Sequence, residues 1–305
     1  MLVQRDVVVD PVLSNVSIAF KNENYIADLI MPVVPVLKET GKYYKYDKAN
    51  FRRAKSDRAA GGKANEVGFG LSLEDFVTKS RALKEKTPWE ILRQAESVLS
   101  PETDSTENVT DMLLLDREYA LASRMSDTAV LTQNVTLSGT DQWSDYENST
   151  PFEDVQTGIS AVQASIGRRP NTLVLGQPVF NVLVNHPDIV DRMKYSTLGS
   201  VTTEMLAKLF NVETVLVASA VQNSSDEGQS DSLAYVWGKH AWLVYVEKQP
   251  GLKKVTFGFT FAFDGRKVTK WDDQDEESRY IRVGENYVHE FVAAEAAYFI
   301  KNAVA

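Results

Sequence analysis

The sequence predicts an α+β protein, and three stretches carry that expectation. Between Glu107 and Leu131, Val109, Met112, Leu115, Tyr119, Ala122, Met125 and Ala129 recur every three or four residues, the spacing of one apolar helix face. From Phe152 to Ala218, helix-like and strand-like pieces alternate, as in a small α/β unit. From Val255 to Phe263, Val255, Phe257, Phe259, Phe261 and Phe263 alternate with Thr256, Gly258, Thr260 and Ala262, a period of two that fixes a strand with one apolar face.

Composition bounds the rest. A chain of 305 residues, 43% hydrophobic and 25% charged, can bury a sizeable core and suits one large or two medium domains. The absence of cysteine excludes disulfides, thiolate metal sites and cysteine nucleophiles. The first residues lack the basic and apolar regions of a signal peptide, and no apolar run approaches the roughly 18 residues of a membrane span, so a soluble chain without a membrane partner is expected. A net charge of -9 argues against non-specific nucleic-acid binding by the surface as a whole.

Taken in order, residues 1–40 read as an N-terminal arm. Their apolar residues come in short extended pieces, Ser14 to Phe20 and Tyr25 to Met31, and Pro11, Pro32 and Pro35 break any continuous helix. Residues 41–74 form an excursion unlike the rest of this acidic chain. They carry Lys42, Lys45, Lys48, Arg52, Arg53, Lys55, Arg58 and Lys63, and up to Lys63 only Asp47 and Asp57 oppose them. Too polar for a core and interrupted by Gly61-Gly62, the segment reads as a loop that leaves its own domain to lie on a partner.

Residues 75–150 begin with two expected short helices, Asp75 to Arg81 and Pro88 to Leu99, the second with Pro88 in its first turn. The helix expected over 107–131 follows, with Asp104 and Glu107 at capping-box spacing. At 1.5 Å per residue it would be a beam roughly 37 Å long. The turn-rich stretch Ser138 to Pro151 marks a domain boundary. Residues 151–249 read as a compact α/β domain with helices over Phe152–Ile166, Gln177–Asn185 and Thr202–Phe210. Its strands are expected over Asn171–Leu175, Glu213–Ala218, Leu233–Gly238 and Ala241–Glu247, with a polar loop from Gln222 to Ser232. Residues 250–305 return to sheet. After the strand from Val255 come an acidic turn (Asp272, Asp273, Asp275, Glu276, Glu277) and a short strand, Tyr280–Val283. In the last segment Ala293–Ala297 allows helix while Tyr298–Ile300 favours strand.

No pattern of catalytic chemistry stands out. His186, His240 and His289 lie far apart in unrelated contexts, none beside a second ligand at helical metal spacing. Gly61-Gly62-Lys63 and Gly68-Phe69-Gly70 lack the strand-before, helix-after context of a phosphate loop. The acidic turn lacks the ligand order and internal glycine of a calcium loop. Tyr43, Tyr44, Tyr46 and Phe51 among the cations leave a nucleic-acid surface open as an alternative to a protein–protein arm. The expectation is a chain with no catalytic residue, no metal and no cofactor, and hence not an enzyme.

In this order the parts resemble the major capsid protein of tailed bacteriophages, the family with the Hong Kong 97 fold. The strings that carry the likeness are Ser14 to Phe20 with Ile30-Met31-Pro32, Asn171 to Gly176 continuing to Asn185-His186-Pro187, and Leu209-Phe210-Asn211-Val212. The resemblance covers nearly the whole chain. It implies an N-terminal arm (1–40), an extended loop (41–74), a peripheral domain (75–150) holding the spine helix, an axial domain (151–249) and returning peripheral strands (250–305). It also implies a structural subunit that self-assembles into pentamers and hexamers of an icosahedral shell around double-stranded DNA, assembled in the host cytoplasm and resident in the virion. Its partners would be a portal, a decoration protein, packaged DNA without sequence-specific contact and, since the arm begins near Met1, a separate scaffolding protein. An encapsulin-type compartment of the same fold, and a monomeric nucleic-acid binder using loop 42–63, are the alternatives. In a shell, the eight loop cations would rest on an acidic surface of the adjacent subunit, for which Asp272, Asp273, Asp275, Glu276 and Glu277 are candidates, with the acidic stretch Glu102 to Glu107 as a second source of excess acid.

Overall fold

A computed structural model describes residues 8–46, 56–58, 63, 66, 71–94, 100–193, 201–225, 228–249 and 255–305. In chain order the elements are β1 (Val8–Val9), α1 (Pro11–Ala19), α2 (Ala27–Ile30), β2 (Val33–Val36), β3 (Thr40–Tyr46), β4 (Leu71–Val77), β5 (Lys79–Pro88), α3 (Trp89–Gln94) and α4 (Pro101–Met125). They continue with β6 (Asn134–Thr136), α5 (Pro151–Ile166), β7 (Thr172–Gly176), α6 (Gln177–Asn185), α7 (Pro187–Met193), α8 (Thr203–Phe210), β8 (Thr214–Ala218), β9 (Val221–Asn223) and β10 (Leu233–Tyr235). The last are β11 (Ala241–Val244), β12 (Gly258–Asp273), β13 (Ser278–Phe291) and β14 (Ala297–Lys301). The mixture of separate sheets and helices is the α+β class that the sequence predicts.

Two five-stranded sheets organise the molecule. The first runs β1-β12-β13-β5, with β2 pairing parallel to β12. The second runs β6-β14-β11-β7-β8. In the first, β12 and β13 form a long hairpin whose register shifts between Phe263 and Lys267, where Asp264 and Gly265 adopt φ of 62° and 66°. On one face Val268, Ile281 and Val283 meet Val109 and Leu113 of α4 and Leu13 of α1. The second sheet is covered on both faces. Val174, Trp242, Val244 and Phe299 pack towards Leu121 and Met125 of α4, and Leu173, Leu175, Leu243 and Ile300 pack towards Ile159, Leu183, Leu206 and Phe210. Neighbouring residues of β7 and β11 thus point into different cores, as the pleat requires.

The arm is seated on α4 by polar contacts as well as apolar ones. The backbone N–H groups of Ile26 and Ala27 donate to the two carboxylate oxygens of Glu118 at 3.0 and 2.9 Å, and Trp237 Nε1 donates to the same group at 2.7 Å. Burial pushes the Glu118 carboxyl above the usual carboxylate range. Arg117 pairs with Asp28, Asn22 Nδ2 donates to Asp111 at 3.0 Å, and the Ser17 and Thr110 hydroxyls lie 2.7 Å apart.

Several expectations need correction. Residues 11–19 are a helix rather than an extended piece, because Pro11 occupies the first turn, where its missing N–H is no loss, and Asp10 accepts from the Val12 and Leu13 N–H groups. Asp75 to Arg81 lies in strands β4 and β5: β4 pairs with β3, and β5 finds a ten-residue partner in β13. The helix expected over Pro88–Leu99 is α3, which starts after Pro88; residues 95–99 lie outside the described part. The long helix is 101–125 instead of 107–131, since Ser100-Pro101 starts it and Asp104 lies within its first turn. Helix α7 follows the break at His186-Pro187, and the final segment contains both a helical turn at Ala294–Ala296 and strand β14. β6 and β14 join the sheet of β7, β8 and β11, so strand membership departs from the expected boundaries at 150 and 250.

Candidate functional site

The basic excursion grows out of an antiparallel hairpin in which Thr40 faces Val77 and Tyr46 faces Leu71. Its base rests on β12. Phe76 stacks on Phe261 with ring centroids 4.4 Å apart, and Tyr43 approaches the same ring at 5.8 Å, with Phe259 and Val292 completing a small separate core. Gly41 is required there, because a Cβ would stand 2.7 Å from the Phe76 ring. Tyr43 donates its hydroxyl proton to Glu74 at 3.2 Å, and burial pushes its own ionisation up.

The eight predicted cations divide into three groups. Lys42 and Lys45, on the stem, pair within the chain with Asp75 at 3.6 Å and Glu74 at 2.9 Å. The Lys45 contact and the Tyr43 hydroxyl together hold the Glu74 carboxyl below its ordinary range. Arg58 and Lys63 are exposed. Lys48, Arg52, Arg53 and Lys55 lie outside the described residues.

The acidic candidates are only partly free. Asp272 accepts two hydrogen bonds from Arg279 at 2.7 and 2.9 Å, and Glu276 pairs with Lys86 at 3.0 Å and accepts from the Tyr280 hydroxyl. Asp273 accepts from the Asp275 N–H at 3.2 Å, and Glu277, at φ 42°, offers its carbonyl to Trp89 N–H at 2.9 Å. Glu102 is engaged by Lys270 and Arg279. On the exposed face of α4, by contrast, Asp104 and Glu107 form no ion pair among the described residues. The sequence placed acid at both sites; intrachain pairing distinguishes them.

Each histidine has a packing role. His186 Nδ1 accepts from Asp188 N–H at 3.2 Å, so its proton sits on Nε2, which donates to Ser149 Oγ at 3.0 Å. That tautomer cannot take a proton from Ser149, whose hydroxyl donates to the Asp145 carbonyl at 2.5 Å. His240 Nδ1 accepts from Asn302 N–H at 3.0 Å, and burial lowers its pKa to about 4. His289 lies 2.9 Å from Thr260 Oγ1, with burial and then Arg117 and Arg124 lowering its pKa to about 3. Among the described residues no group of three His, Asp or Glu side chains could hold a metal ion, and no helix is long and apolar enough to cross a membrane.

Comparison with known proteins fits this arrangement. Residues 129–256 match the family described as "Phage major capsid protein E". The chain is 30% identical to the major capsid protein of Burkholderia phage BcepMu, over 96% of each chain, and 33% identical to that of Pseudomonas phage JBD67, over 97% of each. Among solved structures, a phage-related protein from Bordetella bronchiseptica is 28% identical, with a TM-score of 0.78 over 98% of this chain and 99% of that one. More distant phage capsid chains, 8 and 10% identical with TM-scores of 0.58 and 0.56, share the fold alone. The architecture is therefore of the Hong Kong 97 type. The chain belongs to the phage major capsid protein family.

Proposed function

We propose that this chain is the shell subunit of a tailed phage, forming the pentamers and hexamers of an icosahedral capsid around double-stranded DNA. The reading places it in the virion after assembly in the host cytoplasm, on a separate scaffolding protein and with a portal and a decoration protein as neighbours. Full-length similarity to two phage major capsid proteins favours this over an encapsulin-type compartment. The division into arm, extended loop, peripheral domain and axial domain is part of the proposal.

One observation carries the contact mechanism: a hairpin whose stem is anchored by Phe76 and Tyr43 leads into a segment with six further cations and few acids. Those charges repel one another unless a counter-surface lies beneath them. On this reading Arg52, Arg53, Lys55 and Arg58 of one subunit meet carboxylates left free on the next, and Asp104, Glu107 and Asp275 suit that role better than Asp272 or Glu276, which have partners of their own. Each exposed pair is worth only about 0.2–1 kcal/mol, but a closed lattice repeats it in every subunit. The test is the double substitution Arg52→Glu with Arg53→Glu. It should leave the subunit folded and weaken assembly, most visibly at raised salt, in sedimentation and electron micrographs of protein co-expressed with its scaffold. Shells of unchanged stability and salt response would refute the contact.

A further inference from the structure

β9 and β10 form a two-stranded ribbon outside both five-stranded sheets. Its register sets Val221 opposite Tyr235 and Asn223 opposite Leu233, which places these four side chains on one face. That face is open: Leu233 is 75% exposed, Val221 42% and Tyr235 41%. An isolated two-stranded ribbon is marginal in water, so uncovered apolar residues on it call for a partner.

The far end of the ribbon is nevertheless well built. Asn223 Oδ1 accepts from the N–H groups of Ser225 at 3.1 Å and Ser232 at 3.0 Å, while its amide donates to Asp231 at 2.8 Å. The Ser224 N–H and hydroxyl both donate to the Ser232 carbonyl, at 2.9 and 3.0 Å, and the Ser225 hydroxyl donates to the Ser230 carbonyl at 2.6 Å. A protrusion held this way has its shape before any partner arrives, which lowers the entropy lost on binding.

We infer that the Val221, Leu233 and Tyr235 face of this ribbon packs against a second copy of this chain. The inference rests on the shell reading above, in which the lateral neighbours of a subunit are copies of it. Charge selects the arrangement. Residues 221–238 carry Asp226, Glu227 and Asp231 and no Lys or Arg. Ribbon ends gathered tip to tip about a symmetry axis would bring like charges together, so the apolar flank lies sideways on the next copy, a heterologous contact that closes into a ring.

The chain has no cysteine, so Leu233→Cys creates a single reporter thiol. Its rate of reaction with a maleimide is measured in unassembled subunits and in purified shells, with the denatured chain as the reference for complete labelling. The expected result is a rate at least tenfold slower in shells. In parallel, Leu233→Asp should give subunits with an unchanged near-UV circular dichroism spectrum and little or no shell formation. A thiol equally reactive in shells overturns the inference, as does normal assembly of Leu233→Asp. Protection that appears only when another capsid component is added also overturns it, by assigning the face to that component. If the wild-type chain co-expressed with its scaffold forms no particles, the shell reading itself fails; particles with a freely reactive thiol defeat the ribbon contact alone.

Discussion

Glu118 should be the most sensitive side chain in the seating of the arm, and the expected loss can be worked out from its contacts. It is 1% exposed and takes three hydrogen bonds, from Ile26 N–H, Ala27 N–H and Trp237 Nε1. Bonds to a charged acceptor contribute about 1.5–3 kcal/mol each, and a buried donor left unpaired costs about 1–3 kcal/mol. Against this stands the carboxylate's own desolvation, a penalty of several kcal/mol that Glu118→Ala removes. The difference is a net loss of about 3–5 kcal/mol, with a melting temperature lower by about 2 °C per kcal/mol at this chain length. Glu118→Gln keeps the shape and one acceptor but turns an NH2 towards the donors, so about half that loss is expected. The sign of the pH dependence is fixed by burial. Because the folded pKa is raised, the stability Glu118 contributes is fully present below the ordinary value of 4.5 and is lost as pH rises through the folded pKa. The advantage of wild type over Glu118→Gln should therefore narrow as pH rises from about 4. The assay is denaturant unfolding of unassembled subunits with Trp fluorescence as readout, together with limited proteolysis between α1 and β2. A Glu118→Ala variant within about 1 kcal/mol of wild type would show that the arm is held by its apolar contacts alone, and a gap that widens with pH would show that the three hydrogen bonds outweigh burial and hold the carboxyl below its ordinary range.

Three further outcomes are expected. Gly176→Ala should destabilise the second sheet by at least about 1–3 kcal/mol in chemical denaturation, because the new Cβ would stand 2.2 Å from the Gly238 carbonyl oxygen and backbone cannot swing aside. Gly41→Ala should loosen the loop stem by displacing the Phe76 ring, seen as faster proteolysis between β3 and β4 with the global melting temperature little changed. His289 has a depressed folded pKa of about 3, so its stabilisation is present above about 6.5 and is lost as pH falls towards 3; His289→Gln should flatten that acid limb, where a tenfold change in proton activity is worth at most about 1.4 kcal/mol.

What could be read from the sequence followed the range of the forces involved. The elements of residues 151–218 were legible because each carries its own signal: Gly176 and Pro178 mark the start of α6 and His186-Pro187 its end, and Asn211, at φ 54°, ends α8 where a left-handed turn is needed. The strand beginning at Gly258 was legible from its period of two, though not its full length to Asp273, because the Asp264-Gly265 bulge interrupts the alternation. The helix expected over Asp75 to Arg81 goes against local propensity, since Phe76, Val77 and Thr78 favour strand and only Lys79 and Arg81 favour helix. That segment's conformation is set by Phe76 sinking onto Phe261 and by the β5–β13 register, partners some 200 residues away. β6 carries no comparable signal, being a three-residue strand placed only by the sheet it completes, whereas Tyr298–Ile300 already favours the strand that becomes β14.

The candidate site divides along a similar line, with a consequence for assembly. Sequence identified the cations and the acids but could not say which were already paired, and pairing is what separates a residue that stabilises the subunit from one available to a neighbour. Asp272, Glu276 and Glu102 close a network with Arg279, Lys86 and Lys270 that ties the β12–β13 turn to β5 and to the start of α4. Lys270 also reaches Asp10, the cap of α1, at 2.8 Å, so the same charges fix the arm. Were these acids instead the resting place of a neighbour's Arg52 and Arg53, each subunit would have to give up internal pairs to make external ones, and exposed exchanges of that kind gain almost nothing. A lattice held by loops gains more from carboxylates with no prior partner, such as Asp104 and Glu107 on the open face of α4. Glu107→Lys with Asp104→Lys should therefore impair assembly at least as strongly as the loop double substitution while costing the subunit only the roughly 0.3–1 kcal/mol that a reversed charge loses in the first turn of a helix, and Asp272→Asn should lower subunit stability and spare assembly. If Asp272→Asn blocked assembly without affecting subunit stability, the acidic turn would regain the role that the sequence suggested for it.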